Sequence, residues 1–168
     1  KSTDMGGTWK KVSGDMTRGI DQNTLPMMGK MWPPEAVAKN MSTSKFGNIF
    51  ALTESPLKQG LIYVGTDDGL IWVTENDGEK WDRFDSFAGV PNMTFVNYIT
   101  PSQHNENVVY AACGNRIYRS LNKGGTWTDI SANLPNIPMF SIVLDKNSPE
   151  GLYVGTDAGV YYKDSLMA

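Results

Sequence analysis

The chain has 168 residues, 40% of them hydrophobic, and a formal net charge of −3. This length corresponds to one domain or to part of a larger one, and the acidic balance disfavours a nucleic-acid-binding surface. The single cysteine and the single histidine exclude an internal disulfide and the usual multi-histidine zinc sites, so we expect no metal and no cofactor. No apolar run approaches the ~20 residues that a transmembrane helix needs. The chain begins at Lys1 and shows no signal peptide, as expected for a processed chain or an excised fragment.

An octet at the start of the chain, residues 2–9, recurs at residues 74–81 and 120–127. Its third residue is Asp or Asn, which can accept hydrogen bonds from the backbone of its own turn, and the glycine two residues later permits a positive φ. A tryptophan ends each octet and begins a strand, and we expect all three indoles to be buried. The octet residues with this structural role are Ser2, Asp4, Gly6, Thr8, Trp9, Thr74, Asn76, Gly78, Trp81, Ser120, Asn122, Gly124, Thr126 and Trp127.

An irregular insert at residues 13–47 lengthens the first repeat by about 26 residues. A loop of this length without strand signals is often functional. Trp32 is not at a repeat position, so it is the tryptophan that we predict to contact a ligand. The methionines of the insert could form an adaptable apolar surface or pack beneath a blade. They are Met27, Met28, Met31 and Met41.

Three further segments superimpose, and their tyrosines at positions 63, 110 and 153 lie 47 and 43 residues apart. Each segment continues into a second apolar stretch, in which Trp72, Tyr118 and Tyr162 take equivalent positions. Short strands at regular spacing, with a repeat of ~40–50 residues, are typical of β-propeller blades. We therefore predict an all-β fold of four-stranded antiparallel sheets.

The repeat count predicts about three to four blades within a larger propeller. Residues 1–12 are expected to form a turn and the outer strand of a preceding blade, 48–85 and 94–131 two blades, and 137–164 an incomplete blade. Propellers typically have 4–8 blades. Two explanations therefore stay open: the chain is a stretch of a longer propeller, or its opening strand completes the last blade of a second copy, so that two chains form a six-bladed ring.

The octet resembles the Asp-box, Ser-x-Asp-x-Gly-x-Thr-Trp, of BNR-repeat β-propellers. The opening copy matches it at every defined position, and the later copies depart at Asn122 and at Thr74, Asn76 and Lys80. The run from 48 to 81 most resembles sortilin-like secreted bacterial proteins, which are often labelled glycosyl hydrolases. The resemblance implies that the octets lie at the outer rim of the blades, and it implies an extracellular or periplasmic location.

Fold alone does not assign a function. A sialidase of this superfamily is expected to show an arginine triad and a tyrosine–glutamate pair, and no such signature is present. An ordinary glycosidase needs two carboxylates that flank the scissile bond, for which Asp15, Asp21 and Asp145 are the candidates. A turn role is the simpler interpretation of Asp67 and Asp68, and of Asp145, which we expect to cap the turn after its strand.

The first functional hypothesis is a module that binds a peptide, protein or glycan without its own complete catalytic site. The alternative is part of a glycoside hydrolase whose active site is shared between blades. The third hypothesis is a structural or assembly role.

Overall fold

The computed structural model of the chain describes residues 1–37, 39–40 and 46–164. These ranges contain eleven strands and one 3-10 turn, at Gln22–Thr24. The strands are β1 (Ile49–Glu54), β2 (Ile62–Thr66), β3 (Ile71–Thr74), β4 (Asp82–Phe84), β5 (Val96–Pro101), β6 (Val109–Cys113), β7 (Arg116–Ser120), β8 (Thr128–Asp129), β9 (Met139–Leu144), β10 (Leu152–Thr156) and β11 (Gly159–Lys163). The described part of the chain has no helix that is long and apolar enough to cross a membrane.

The strands form three antiparallel sheets, each of which follows the order of the chain. The first blade is β1-β2-β3-β4, the second is β5-β6-β7-β8, and the third contains β9, β10 and β11. The predicted all-β fold of antiparallel blades is therefore confirmed. The outer strands β4 and β8, with three and two residues, are the shortest strands of their sheets.

Each blade packs against the next through alternating side chains of its strands. Within β6, Val109, Ala111 and Cys113 lie in the core shared with the first blade. The residues between them, Tyr110 and Ala112, lie in the core shared with the third blade. The second blade is thus buried on both faces, which explains why all five residues of β6 are inaccessible to solvent.

Strand β2 of the first blade approaches β5 of the second blade closely at Gly65. A Cβ on this glycine would lie 2.5 Å from Cγ1 of Val96 and 3.1 Å from Cδ1 of Ile99, both in the second blade. Because real Cβ atoms do not come this close to other atoms, only glycine allows this spacing of the two sheets.

The predicted equivalence of Trp72, Tyr118 and Tyr162 is wrong by one residue in the third blade. Strand pairing places Tyr161, and not Tyr162, at the position that corresponds to Trp72 and Tyr118. The cause is turn length: residues 67–70 form a four-residue connection in the first blade, whereas the other two blades have two-residue connections at this place.

Candidate functional site

The three octet turns share one hydrogen-bond pattern. In the last of them, Oγ of Ser120 accepts from the backbone N–H of Gly124 at 2.8 Å and donates to Oδ1 of Asn122 at 2.9 Å. The same Oδ1 accepts from the N–H of Thr126 at 2.8 Å. The central glycine of each turn has φ of 91° or 92°, which only glycine adopts readily. These side chains are therefore occupied in holding their own turns.

The octet tryptophans have unequal surroundings. Trp127 is half-buried and packs against Phe87, with ring centroids 5.9 Å apart. Trp81 is half-buried, and its indole N–H donates to the carbonyl oxygen of Val12 at 3.0 Å. Trp9, in contrast, is 78% exposed. The expectation of burial is thus wrong for Trp9, because residues 9–12 belong to none of the three sheets.

The start of the insert is fastened to the first blade. Met16 is buried, and its carbonyl oxygen accepts from the indole N–H of Trp72 at 2.7 Å. Arg18 donates from its backbone N–H to Oδ2 of Asp68 at 2.5 Å and from Nε to the Asp68 carbonyl oxygen at 2.8 Å. Its Nη2 also reaches the carbonyl oxygen of Asp85 at 3.2 Å. We call this set the Arg18–Asp68 clamp.

The neighbouring carboxylate, Asp67, organises the start of β1. Its Oδ1 accepts from the backbone N–H groups of Gly47 at 3.0 Å and Asn48 at 2.7 Å. Asp67 and Asp68 are both buried. Their role is thus to join the β2–β3 turn to other segments of the chain, and sequence reasoning found the turn but not these partners.

The three catalytic candidates each hold a local turn. Asp15 accepts at 2.9 Å from the N–H and the hydroxyl of Thr17, and these bonds hold the pKa of Asp15 below its ordinary value. Asp21 caps the 3-10 turn by accepting from the N–H of Asn23 at 2.9 Å. Asp145 accepts from the N–H of Asn147 at 2.8 Å, so the expected turn cap is confirmed.

An exposed apolar surface lies on residues 27–37, which we call the insert loop. Trp32 is 48% exposed, and its indole N–H donates to the carbonyl oxygen of Met27 at 3.2 Å. Buried Lys39 donates to the carbonyl oxygen of Trp32, and this hydrogen bond restrains the backbone of the loop. Large apolar side chains nevertheless face solvent here, namely Met27, Met28, Met31, Trp32 and Val37. Met41, also predicted for this surface, lies outside the described residues.

A groove of about 610 Å³ opens between the second and third blades. We call it the interblade groove. Its walls are Ile117, Ile130, Ser131, Ala132, Asn133, Leu134, Leu152, Val154, Tyr161, Tyr162 and Lys163. Sequence reasoning missed this groove, although the unequal number of strands per repeat is the signal that could have located it.

Side chains that could hold a metal are not clustered in the described ranges. No group of three or more His, Cys, Asp or Glu side chains in residues 1–37, 39–40 and 46–164 has a suitable arrangement.

Solved structures similar to this chain are β-propellers. The GH74 xyloglucanase from Xanthomonas campestris matches with a TM-score of 0.58 and 14% identity over 71% of this chain and 22% of its own. The GH74 enzyme from Niastella koreensis matches with a TM-score of 0.54 and 21% identity over 68% of this chain and 19% of its own. YCF48 bound to D1 peptide matches with a TM-score of 0.55 and 16% identity over 73% of this chain and 37% of its own.

At these identities the likeness shows the fold alone. The chain spans well under two-thirds of each matched structure, which fits part of a larger propeller. No protein-family profile matches the chain, and no curated protein matches it.

Proposed function

We propose that this chain is a β-propeller binding module whose insert loop contacts an apolar segment of a peptide or protein partner. The observation that carries the proposal is the exposure of five large apolar side chains on one short loop. Exposed apolar clusters of this kind are typical of interaction sites, and flexible methionines suit binding surfaces that adapt to their partners. The structure of YCF48 bound to D1 peptide supports a propeller of this fold as a peptide receptor.

A protein partner fits this surface better than a glycan does. Sugar recognition combines aromatic stacking with several polar groups, whereas the exposed cluster has one aromatic side chain, Trp32, among three methionines and a valine. Apolar burial is therefore the main driving force that this loop offers.

The family and domain assignments belong to the same proposal. We infer that the octets are Asp-boxes of BNR repeats in a sortilin-like protein, which favours an extracellular or periplasmic location. We also infer that residues 1–12 are the outer strand of a preceding blade, 13–47 an insert, 48–85 and 94–131 two blades, and 137–164 a third. The common hydrogen bonds of the three octet turns support this division.

The glycoside hydrolase alternative has weaker support from the named carboxylates. Asp15, Asp21 and Asp145 are each engaged by an N–H two residues further along, as turn residues are. The lowered pKa of Asp15 keeps it ionised near neutrality, which is the wrong state for a general acid.

The test is selection from a display library of random peptides against the wild-type chain, with xyloglucan oligosaccharides as a parallel probe. We expect apolar peptides to be enriched and to bind about tenfold or more weakly to Met28→Asp and to Trp32→Ala. The matched control is Leu57→Asp, which alters an equally exposed apolar residue on the β1–β2 connection and should leave binding unchanged.

Three outcomes contradict the proposal. They are the absence of enriched peptides, equal weakening by the control variant, and binding of the oligosaccharides alone. Binding of the oligosaccharides alone would favour a glycan-binding module. The absence of enriched peptides would favour a structural role.

A further inference from the structure

The apolar surface of the insert loop consists mainly of methionine. Three of its five exposed apolar side chains contain sulfur, namely Met27, Met28 and Met31. The other two are Trp32 and Val37. Thioethers are soft, polarisable apolar groups, and oxidants convert them to polar ones. A reagent that acts on sulfur therefore changes most of this surface at once.

A tight turn presents Met28 at the tip of the insert loop. The N–H of Met27 donates to the carbonyl oxygen of Lys30 at 2.8 Å, and the N–H of Lys30 donates to the carbonyl oxygen of Met27 at 3.1 Å. Between them, Met28 and Gly29 have φ of 51° and 76°, the two positive values of a type I′ turn. Such positions favour Asn, Asp or Gly, so the backbone does not favour methionine here. The side chain of Met28 lies wholly in solvent, where an oxidant reaches its sulfur without any movement of the chain.

The sulfur atoms of the core are shielded. Met16 and Met139 are buried. Cys113 is the single cysteine of the chain and is also buried, which raises the pKa of its thiol above the ordinary value. Because oxidation of sulfur follows exposure and, for cysteine, thiolate character, these three residues react slowly while the chain stays folded. A dilute oxidant therefore reaches the insert loop before it reaches the core.

We propose that Met27, Met28 and Met31 form an oxidation switch, in which hydrogen peroxide converts the apolar surface of the insert loop to a polar one. At each residue a sulfur lone pair attacks one peroxide oxygen, so that an S–O bond forms and the O–O bond breaks. The proton of the transferred oxygen moves to the departing hydroxide, which leaves as water. The sulfur loses two electrons and the peroxide gains them, and the product is methionine sulfoxide.

The sulfoxide weakens apolar contacts because its oxygen is a hydrogen-bond acceptor that must leave water when a partner covers it. The switch is reversible, since methionine sulfoxide reductases release the oxygen as water while two thiols are oxidised to a disulfide. The control of partner binding by this switch rests on the function proposed above, whereas the change of the surface itself does not.

The first experiment follows the surface without any partner. The chain is treated with dilute hydrogen peroxide, and peptide mapping by mass spectrometry measures the addition of oxygen at each methionine. We expect Met28 and Met31 to react about tenfold or more faster than buried Met16 and Met139, with an unchanged circular dichroism spectrum. Similar rates for the exposed and the buried residues would contradict the proposal.

Chromatography on a phenyl matrix measures whether the surface changes. The oxidised wild type should elute earlier than the untreated chain. The triple variant Met27→Leu, Met28→Leu and Met31→Leu should keep its apolar surface and lose most of this shift. The matched control is Met5→Leu, which removes a fully exposed methionine outside the insert loop and should retain most of the shift. An equal shift in the triple variant would overturn the proposal.

The second experiment measures the control of binding. The apolar peptides selected above should bind about tenfold or more weakly to the oxidised wild type and regain their affinity after treatment with the reductases and dithiothreitol. They should bind the triple variant equally before and after peroxide. Undiminished binding by the oxidised wild type would overturn the proposed switch, although the peptide-binding function would stand. If the selection enriches no peptide, the proposed function is wrong and the chromatography alone decides the inference.

Discussion

Asp4 holds the first octet turn with both of its carboxylate oxygens. Oδ1 accepts from the hydroxyl of Ser2 and the N–H of Thr8, and Oδ2 accepts from the hydroxyl of Thr8 at 2.8 Å. In the other copies the corresponding side chain is an amide, Asn76 or Asn122. The first turn is therefore the only one of the three octets that a change in protonation of this residue can loosen.

The bonds from Thr8 and Ser2 lower the pKa of Asp4 from 3.8 to about 2. Because the folded-state pKa is depressed, the stabilisation of the turn is complete above pH 3.8 and is lost as the pH falls through 2. We expect the Thr8 amide resonance to titrate with this midpoint in NMR spectra. Asp4→Asn should abolish the titration, and a midpoint at the ordinary aspartate value would contradict the hydrogen-bond assignment.

The roles of single residues were predictable where they depend on neighbours in sequence. The octet pattern indicates its turn because every bond of that turn joins residues at most four positions apart. The exposure of Trp9 was not predictable in this way, since burial of an indole depends on a sheet that the repeat does not encode. The same reasoning explains Asp68, whose partner Arg18 lies 50 residues away.

At the scale of elements, the Arg18–Asp68 clamp joins the insert to the first blade. The insert has no repeat period, so the sequence indicated only that an irregular loop precedes β1. The structure shows that its first part covers the indole of Trp72 and buries Met16. The connection depends on side-chain and backbone bonds rather than on strand pairing.

We expect Arg18→Ala to release residues 13–20 from the first blade. The change removes the donors to the carbonyl oxygens of Asp68 and Asp85, at a cost of about 1–3 kcal/mol in the free energy of unfolding. Hydrogen exchange of residues 13–20 should become faster, while β6 stays protected.

The control for this experiment is Arg83→Ala. Arg83 pairs with Asp85 at 2.9 Å on the surface of the same blade, and exposed pairs contribute ~1 kcal/mol or less. Equal acceleration of exchange in both variants would show that the clamp does not hold the insert.

At the scale of the whole molecule, strand pairing and repeat spacing made the architecture predictable. Three tyrosines at near-constant intervals indicated the blades, and the sheets have the expected order. The predicted alignment of β11 with β3 and β7 was wrong by one residue. The lengths of the preceding turns differ among the blades, and spacing in sequence does not reveal this difference. The interblade groove is a property of two blades together, so no single repeat could indicate it.

Cys113 reports on the integrity of the contact between the first two blades. It is fully buried in β6, and this burial raises the pKa of its thiol above the ordinary value. Since the thiolate is the reactive form, we expect almost no reaction with Ellman's reagent at pH 8 in the folded chain and stoichiometric reaction in urea. The labelling rate should follow the unfolding curve measured by circular dichroism, and rapid labelling without urea would show that the two blades separate.

The close approach at Gly65 has a geometric consequence for the arrangement of the blades. The distance between β2 and β5 helps to set the angle from one sheet to the next, and a methyl group at position 65 would meet Val96 at 2.5 Å. A larger distance between two sheets increases the angle that each blade occupies around the propeller axis. The absence of a side chain at Gly65 therefore helps to determine how many blades a closed propeller of this kind can contain.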